Sequence, residues 1–268
     1  MKARLQDIVE NGGRDGYRHV VSLSGGKDSA AMAMFMATKF PELETEYVFC
    51  DTKCELPETY AYLDMLEDVL GKPIQRVSAF DMLGVRDKHS RNPFEIVLKE
   101  MYSGYLPSPR TRWCTRMLKI EVFEHFIGES KAYSYIGIRS DENREGFQTK
   151  KPPVLSQAPN IIPVYPFIDY GMVYEDIENI LENTGVGIPS YYRWRTRSGC
   201  YFCFYQQIGE WQNLKEEHPD LFEMAKSFED PSKGYTWVDG KSLDDIVAMP
   251  RRDILKPDAD GGCAICHL

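Results

Sequence analysis

The sequence predicts an α/β protein built on a doubly wound, mostly parallel sheet, followed by a cysteine-bearing helical and irregular C-terminal subdomain. Three observations carry that expectation. Apolar, β-branched runs alternate with helix-forming stretches from residue 18 to residue 80, the rhythm of βαβ units with right-handed crossovers. The runs are continuous in hydrophobicity, as strands buried on both faces require. Two C-x-x-C pairs, at Cys200/Cys203 and Cys263/Cys266, set the C-terminal part aside. The expected division is 1–170 and 171–268, the second unit packed on the first.

Taken in order, residues 2–10 read as a short amphipathic helix ended by "NGG". "HVVSL" (19–23) is a buried strand, "SGGKDS" (24–29) a glycine turn and "SAAMAMFMATKF" (29–40) a helix. "ETEYVFCDT" (44–52) is a second strand, "LPETYAYLDMLEDVLG" (56–71) a helix closed by Gly71, and "PIQRVSAF" (73–80) a third strand. Residues 81–110 hold three prolines and break the rhythm as a long excursion near the strand ends. "CTRMLKIEVFEHFIGE" (114–129) is helical, and "AYSYIGIRSDENR" (132–144) is a strand running into a charged loop. "KKPPVLSQAPNIIPVYPF" (150–167) is proline-rich and non-helical, and "MVYEDIENILENTG" (172–185) is an amphipathic helix stopped by Gly185. "GEWQNLKEEHPDLFEMAKSFED" (209–230) is helical, and the remainder of the chain is short and irregular in pattern.

The charge balance is acidic, 41 Asp and Glu against 32 Lys and Arg. Such a balance makes the chain a poor candidate for non-specific duplex binding through a general basic face. One local stretch departs from it: "YYRWRTRS" (191–198) sets three arginines among aromatics just before the first cysteine pair. It reads either as a solvated loop or as a contact for an anion or nucleic acid. No apolar run approaches the length of a membrane span, and the N-terminus lacks a signal-peptide core, so a cytoplasmic protein is expected. Seven cysteines, an odd number, point to metal or thiol chemistry rather than a disulfide framework.

"SLSGGKDS" (22–29) is the most informative stretch. It is not a Walker A loop, because Val21 stands where that pattern needs its first glycine and Asp28 where it needs Ser or Thr. The physics is related. Ser24, Gly25 and Gly26 let successive backbone N–H groups face an anion, and the following helix adds the partial positive charge of its N-terminus. Lys27 adds a point charge, and Ser29 caps the helix or touches a phosphate. Cys114 lies between Arg112 and Lys119 at a helix start, which should lower its pKa and favour thiolate. Asp51 ends the second strand, placed for Mg²⁺, for a ribose or as a turn cap. Arg139 and Arg144 follow a later strand end, suited to hold phosphate bidentately or to make surface ion pairs. Cys50 and Cys54 read as core or loop residues. The C-x-x-C pair at Cys200 and Cys203 serves a metal, a redox couple or core packing alike. With Cys263 and Cys266 it makes a four-thiolate set suited to zinc or an iron–sulfur cluster.

In order along the chain, "SGGKDS", "DTKCELPET", "RTRWCTRMLK", "YIGIRSDENR", "VYPFIDYGMVYEDI" and "RTRSGCYFCF" resemble the ATP pyrophosphatase (PP-loop) family, with its adenine-nucleotide alpha-hydrolase-like fold. Within it the phosphoadenosine phosphosulfate (PAPS) reductase group is most similar, including the sulfur-incorporating enzymes of DNA phosphorothioation. The intact SGGKDS resembles the ATP-cleaving branch. The resemblance implies an ATP-binding domain over 1–170 with Ser22, Ser24, Gly25, Gly26, Lys27, Asp28, Ser29, Asp51, Arg112, Lys119, Gly137 and Arg139 at the nucleotide. It implies Lys27, Cys114, Arg139 and Arg144 in catalysis, and Mg²⁺ as the ion of ATP. It further implies a [4Fe–4S] cluster, with Zn²⁺ as the alternative, on four of Cys114, Cys200, Cys203, Cys263 and Cys266. In the adenylylsulfate-reductase branch a Cys-Cys pair stands where this chain has Cys114-Thr115, so one of those two ligands is missing.

The implied activity is adenylation of an acceptor oxygen with release of pyrophosphate, then sulfur incorporation. The implied partners are ATP, a sulfur donor such as a cysteine desulfurase or thioredoxin, and DNA or tRNA as acceptor through 191–198. Two alternatives stay open: a thioredoxin-dependent reductase of PAPS or adenylylsulfate, suggested also by the tail "GGCAICHL", and a nucleotide-binding subunit of a DNA-modification or defence complex.

Overall fold

The computed structural model describes residues 4–13, 16–83, 90–142, 156 and 158–255. The expected sites Arg144, Cys263 and Cys266 lie outside them. The sheet has five strands, β1 (Arg18–Leu23), β2 (Thr45–Cys50), β3 (Ile74–Val77), β4 (Ala132–Tyr135) and β5 (Ile161–Val164), in the order β3-β2-β1-β4-β5. Every pairing is parallel. The sheet is therefore wholly parallel where the sequence promised mostly parallel.

Successive side chains of a strand face opposite ways, and the burial follows. Val20 and Val48 enter one apolar cluster, while Val21, Leu23, Tyr47 and Phe49 enter the other. Helices α1 (Leu5–Glu10), α2 (Lys27–Lys39) and α3 (Pro57–Leu70) contribute to the second cluster with α9 (Tyr174–Asn183). The opposite face is covered by α5 (Pro93–Ile96), α6 (Trp113–Thr115) and α7 (Glu121–Ile127) together with the C-terminal helices α10 (Ile208–Glu217), α11 (Pro219–Lys226) and α12 (Leu243–Ala248). Short α4 (Ala79–Leu83) follows β3, and α8 (Pro166–Asp169) follows β5.

Three elements depart from the sequence reading. The proline-rich stretch contains β5, which sits at the sheet edge, where Pro163 withholds no N–H that a further strand would need. The helix expected over 114–129 is broken into α6 and α7 by a π turn, Arg116–Ile120. The run expected as helix over 209–230 divides at His218, because Pro219 opens a new helix rather than continuing the old one.

No described helix is long and apolar enough to cross a membrane.

Candidate functional site

The chain winds from β1 outward through β2 and β3, then returns to lay β4 on the other side of β1. The loops after β1 and β4 thus meet where the strand order reverses, the place where open α/β sheets bind ligands. A Cβ on Gly137, just past β4, would come within 2.8 Å of the Asp28 carbonyl oxygen. Glycine at that position is what lets the two loops close on each other.

The glycine loop is held by a chain of hydroxyls. Ser24 N–H donates to Ser29 Oγ at 3.0 Å, and Ser29 Oγ donates to the Gly26 carbonyl at 3.0 Å. The Ser29 proton being used, the 3.0 Å contact between the two hydroxyls has Ser24 as donor. Gly26 caps α2 with extended backbone. The two expected cations converge on one carboxylate. Lys27 Nζ lies 2.9 Å from Asp28 Oδ2, and Arg139 Nη1 lies 2.8 Å from Asp28 Oδ1. Arg139 also pairs with Asp141 at 2.9 Å and Glu142 at 2.7 Å. Burial opposes the charge on Lys27, but Asp28 and Tyr192 hold its pKa above the ordinary value. Burial likewise works against Arg139, and Asp28 and Glu142 outweigh it. The rings of Tyr174 and Tyr192 lie 5.2 and 5.4 Å from Lys27 Nζ.

Asp51 is buried, and its oxygens are engaged within its own loop and by the helix after it. Oδ1 accepts from Lys53 N–H and from the Tyr60 hydroxyl, each at 2.8 Å, and Oδ2 pairs with Lys53 Nζ at 2.6 Å. Of the roles open to Asp51, the turn cap describes its contacts. No three His, Cys, Asp or Glu side chains among the described residues converge on a single-ion position. Mg²⁺ at the glycine loop would thus draw its ligands largely from phosphate and water, its usual habit at a nucleotide.

The segment leading into the cysteine pair touches the glycine loop directly. Ser198 Oγ donates to Ser24 Oγ at 3.3 Å, and the Tyr191 hydroxyl donates to the Gly25 carbonyl at 2.8 Å. A Cβ on Gly26 would lie 2.7 Å from Ser198 Oγ. Two residues on from Ser198, Cys200 Sγ is 3.2 Å from Thr52 Oγ1 and donates to Glu55 Oε1 at 3.7 Å. Tyr201 N–H donates to the Cys54 carbonyl at 2.9 Å, so the loop after β2 and the C-x-x-C loop are also joined.

Cys114, Cys200 and Cys203 line one cleft, with Thr52, Lys119 and Tyr205 also in its wall. Cys114 differs from its expected state. Burial pushes its thiol up to about 12, the neighbouring Cys203 adds to this, and Thr115 and Lys119 offset only part of it. The flanking cations that suggested a thiolate do not dominate: the Lys119 ammonium lies 3.9 Å from Glu55, and Arg112 gives its Nε proton to the Pro109 carbonyl. Burial, and next Glu55, raise Cys200 as well. Without a metal these two thiols stay protonated. Three thiols in the wall of one cleft are the donor type that an iron–sulfur cluster takes. Cys50 and Cys54 are core residues, as expected, and none of the five described cysteines forms a disulfide.

The basic stretch 191–198 is divided in three. Arg193 is exposed and pairs with Glu217 at 2.6 Å. Arg195 is buried beneath the cysteine loop. Arg197 stands 5.3 Å from the Tyr205 ring, as does Arg112. A solvated arginine cluster is therefore not what these residues build. Sequence reasoning missed Thr52, Glu55, Tyr192 and Ser198. Thr52 and Glu55 lie in "DTKCELPET" and Tyr192 and Ser198 in "YYRWRTRS", stretches that drew notice without these residues being singled out.

An α/β chain whose glycine loop, at the crossover of a parallel sheet, abuts a cysteine cleft is thus defined by its own contacts. It belongs to the phosphoadenosine phosphosulfate reductase domain family, whose model matches residues 18–215. An uncharacterised protein of Methanocaldococcus jannaschii is 27% identical over 207 residues, covering 76% of this chain and 40% of its own length. The nin region protein ORF290 of Escherichia phage lambda is 30% identical over 142 residues, 46% of this chain and 49% of its own. The chain thus spans less than half the length of these relatives. A solved phosphoadenylyl-sulfate reductase from Candida auris, in phosphate complex, is 13% identical with a TM-score of 0.49, over 73% of this chain and 87% of that one.

Proposed function

We propose that this chain cleaves ATP to AMP and pyrophosphate, adenylating an acceptor oxygen so that sulfur can replace it. The observation that carries the reading is the contact of Ser198 with Ser24, which sets the cysteine pair two residues away from the glycine loop. A site for an activated phosphate and a site for sulfur are neighbours. The family is consistent with sulfur–nucleotide chemistry.

The steps follow from charge. The acceptor oxygen attacks the α-phosphorus, the α–β bridging bond breaks, and pyrophosphate leaves with that electron pair. Lys27 and those glycine-loop N–H groups not already given to the Ser29 and Ser24 hydroxyls hold the phosphates, and Arg139 stabilises the charge that develops on the leaving group. Asp28 occupies both cations until a triphosphate, with more negative charge, takes them over. Sulfur then attacks the atom that bears the adenylated oxygen, carbon in a base or small molecule or phosphorus in a DNA backbone. The bond from that atom to the oxygen breaks, and AMP departs with the oxygen and the electron pair. A cluster or persulfide held by Cys114, Cys200, Cys203 and a tail cysteine would supply the sulfur, replenished by a cysteine desulfurase, while a dithiol such as thioredoxin would give the two electrons that cleave the S–S bond left when a persulfide is the donor. DNA, tRNA or a small molecule is the acceptor.

Purified protein given labelled ATP, Mg²⁺ and each acceptor class should form AMP and pyrophosphate. No AMP with any of them defeats the reading. The name of the family supports a second reading, reduction of PAPS or adenylylsulfate. Sulfite released from either with reduced thioredoxin, and no ATP cleavage, would establish that instead.

A further inference from the structure

Beneath the cysteine loop lies a buried cation that makes no ion pair among the described residues. Arg195 is 1% exposed. Its Nη1 donates to the Gly199 carbonyl at 3.0 Å and its Nη2 to the Cys200 carbonyl at 2.8 Å. Its Nε meets no acceptor, and it makes no ion pair among the described residues. Glu210, the buried carboxylate of the adjoining helix, gives its oxygens to Thr196 and to the Gln207 N–H.

Taking a guanidinium out of water is costly unless an anion accompanies it, and neutral carbonyls recover only part of that cost. Bracing a loop needs no charge, because a neutral amide can donate to carbonyls too. The positive charge therefore calls for an anion that the described protein atoms do not supply. The residues whose carbonyls Arg195 grips are the start of the C-x-x-C loop. Cysteines that ligate a metal do so as thiolates, and partners behind the ligands tune such a centre.

We propose that Arg195 is a positioning residue of the cysteine site. It sets the C-x-x-C loop through the carbonyls of Gly199 and Cys200, and its charge balances the thiolates of Cys200 and Cys203 when they hold an iron–sulfur cluster. The proposal rests on the cluster reading of the cysteine cleft.

Anaerobically purified wild type, Arg195→Gln and Arg195→Lys are compared by iron and sulfide content, by the reduction midpoint of the cluster, and by iron release to an external chelator. Arg195→Gln should move the midpoint to more negative potential, because a lost cation disfavours the reduced, more anionic state. It should also release iron about tenfold faster, the scale of effects from partners behind metal ligands. Arg195→Lys should keep the midpoint near wild type but release iron faster, since an ammonium does not reproduce the planar fork on two carbonyls. A Gln variant with wild-type midpoint and iron release overturns the proposal and leaves the cluster reading intact. Wild-type protein that binds no iron overturns the cluster reading and this proposal with it. If Arg195→Gln does not fold, Arg195→Lys decides: unchanged iron release, or a midpoint as negative as charge loss would give, overturns it.

Discussion

Asp28 holds Lys27 on one oxygen and Arg139 on the other, although Arg139 is 111 residues further along the chain. Both cations were singled out in the sequence, Lys27 as a point charge after a glycine turn and Arg139 as a phosphate holder or an ion-pair partner after a strand end. Their meeting on Asp28 was not, since it depends on β4 lying beside β1. Two predictions belong at this scale. Lys27→Ala should lower AMP formation about a hundredfold, the size of losing one charge-stabilising donor, with little change in unfolding. A thermal melt beside the activity assay checks both halves. Asp28→Asn should cost about 2 kcal/mol of stability, less than a fully broken buried pair because Arg139 keeps Asp141 and Glu142. Urea unfolding measures it, and a midpoint equal to wild type would mean that the pairing contributes nothing.

At the scale of elements, local pattern decided what could be read. The strands β1 and β2 announce themselves as apolar runs, and α3 announces its end with Gly71 in the left-handed conformation. Edge strand β5 did not, because Pro163 argues against a strand unless the strand is known to be at the edge. The π turn between α6 and α7 left no mark either, yet it lies beside Cys114 and contains Lys119 of the cleft. The contact between loops was equally hidden, and it makes the sharpest test. Gly26 has an ordinary φ of −101°, so alanine is acceptable to the backbone there and the obstacle is steric: Ser198 Oγ at 2.7 Å, with the Tyr192 hydroxyl a looser contact at 3.3 Å. Gly26→Ala should weaken ATP binding about tenfold by forcing the glycine loop and the cysteine loop apart, an overpacking effect. Adding Ser198→Gly removes the obstacle and should restore much of the loss. Calorimetric titration of the single and double variants gives the coupling; strictly additive effects would mean that the two loops do not press on each other.

For the whole molecule, the two apolar faces of one sheet were legible from the continuous strands, whereas the polar groups enclosed between them were not. His19 is such a group. It is only 7% exposed, its Nδ1 faces the Tyr135 hydroxyl at 2.7 Å, and its Nε2 faces the Gly13 carbonyl at 3.1 Å. With Nε2 as donor and Nδ1 as acceptor, the neutral ring satisfies both contacts. Burial lowers its pKa, and the Gly13 carbonyl offsets only part of that. The native state therefore binds fewer protons than the unfolded chain below the ordinary histidine value of about 6.5. Stability is fully present above that pH and is lost as pH falls through the window down to the native pKa, by at most about 1.4 kcal/mol per pH unit. Glu229 acts in the opposite sense, since burial raises its pKa and its contribution fades as pH rises. The difference between wild type and His19→Gln isolates the histidine. Across pH 7.5 to 5.5, roughly bracketing that value, the wild-type melting temperature should fall more steeply than that of the variant. Parallel curves would mean that His19 ionises as readily in the fold as outside it.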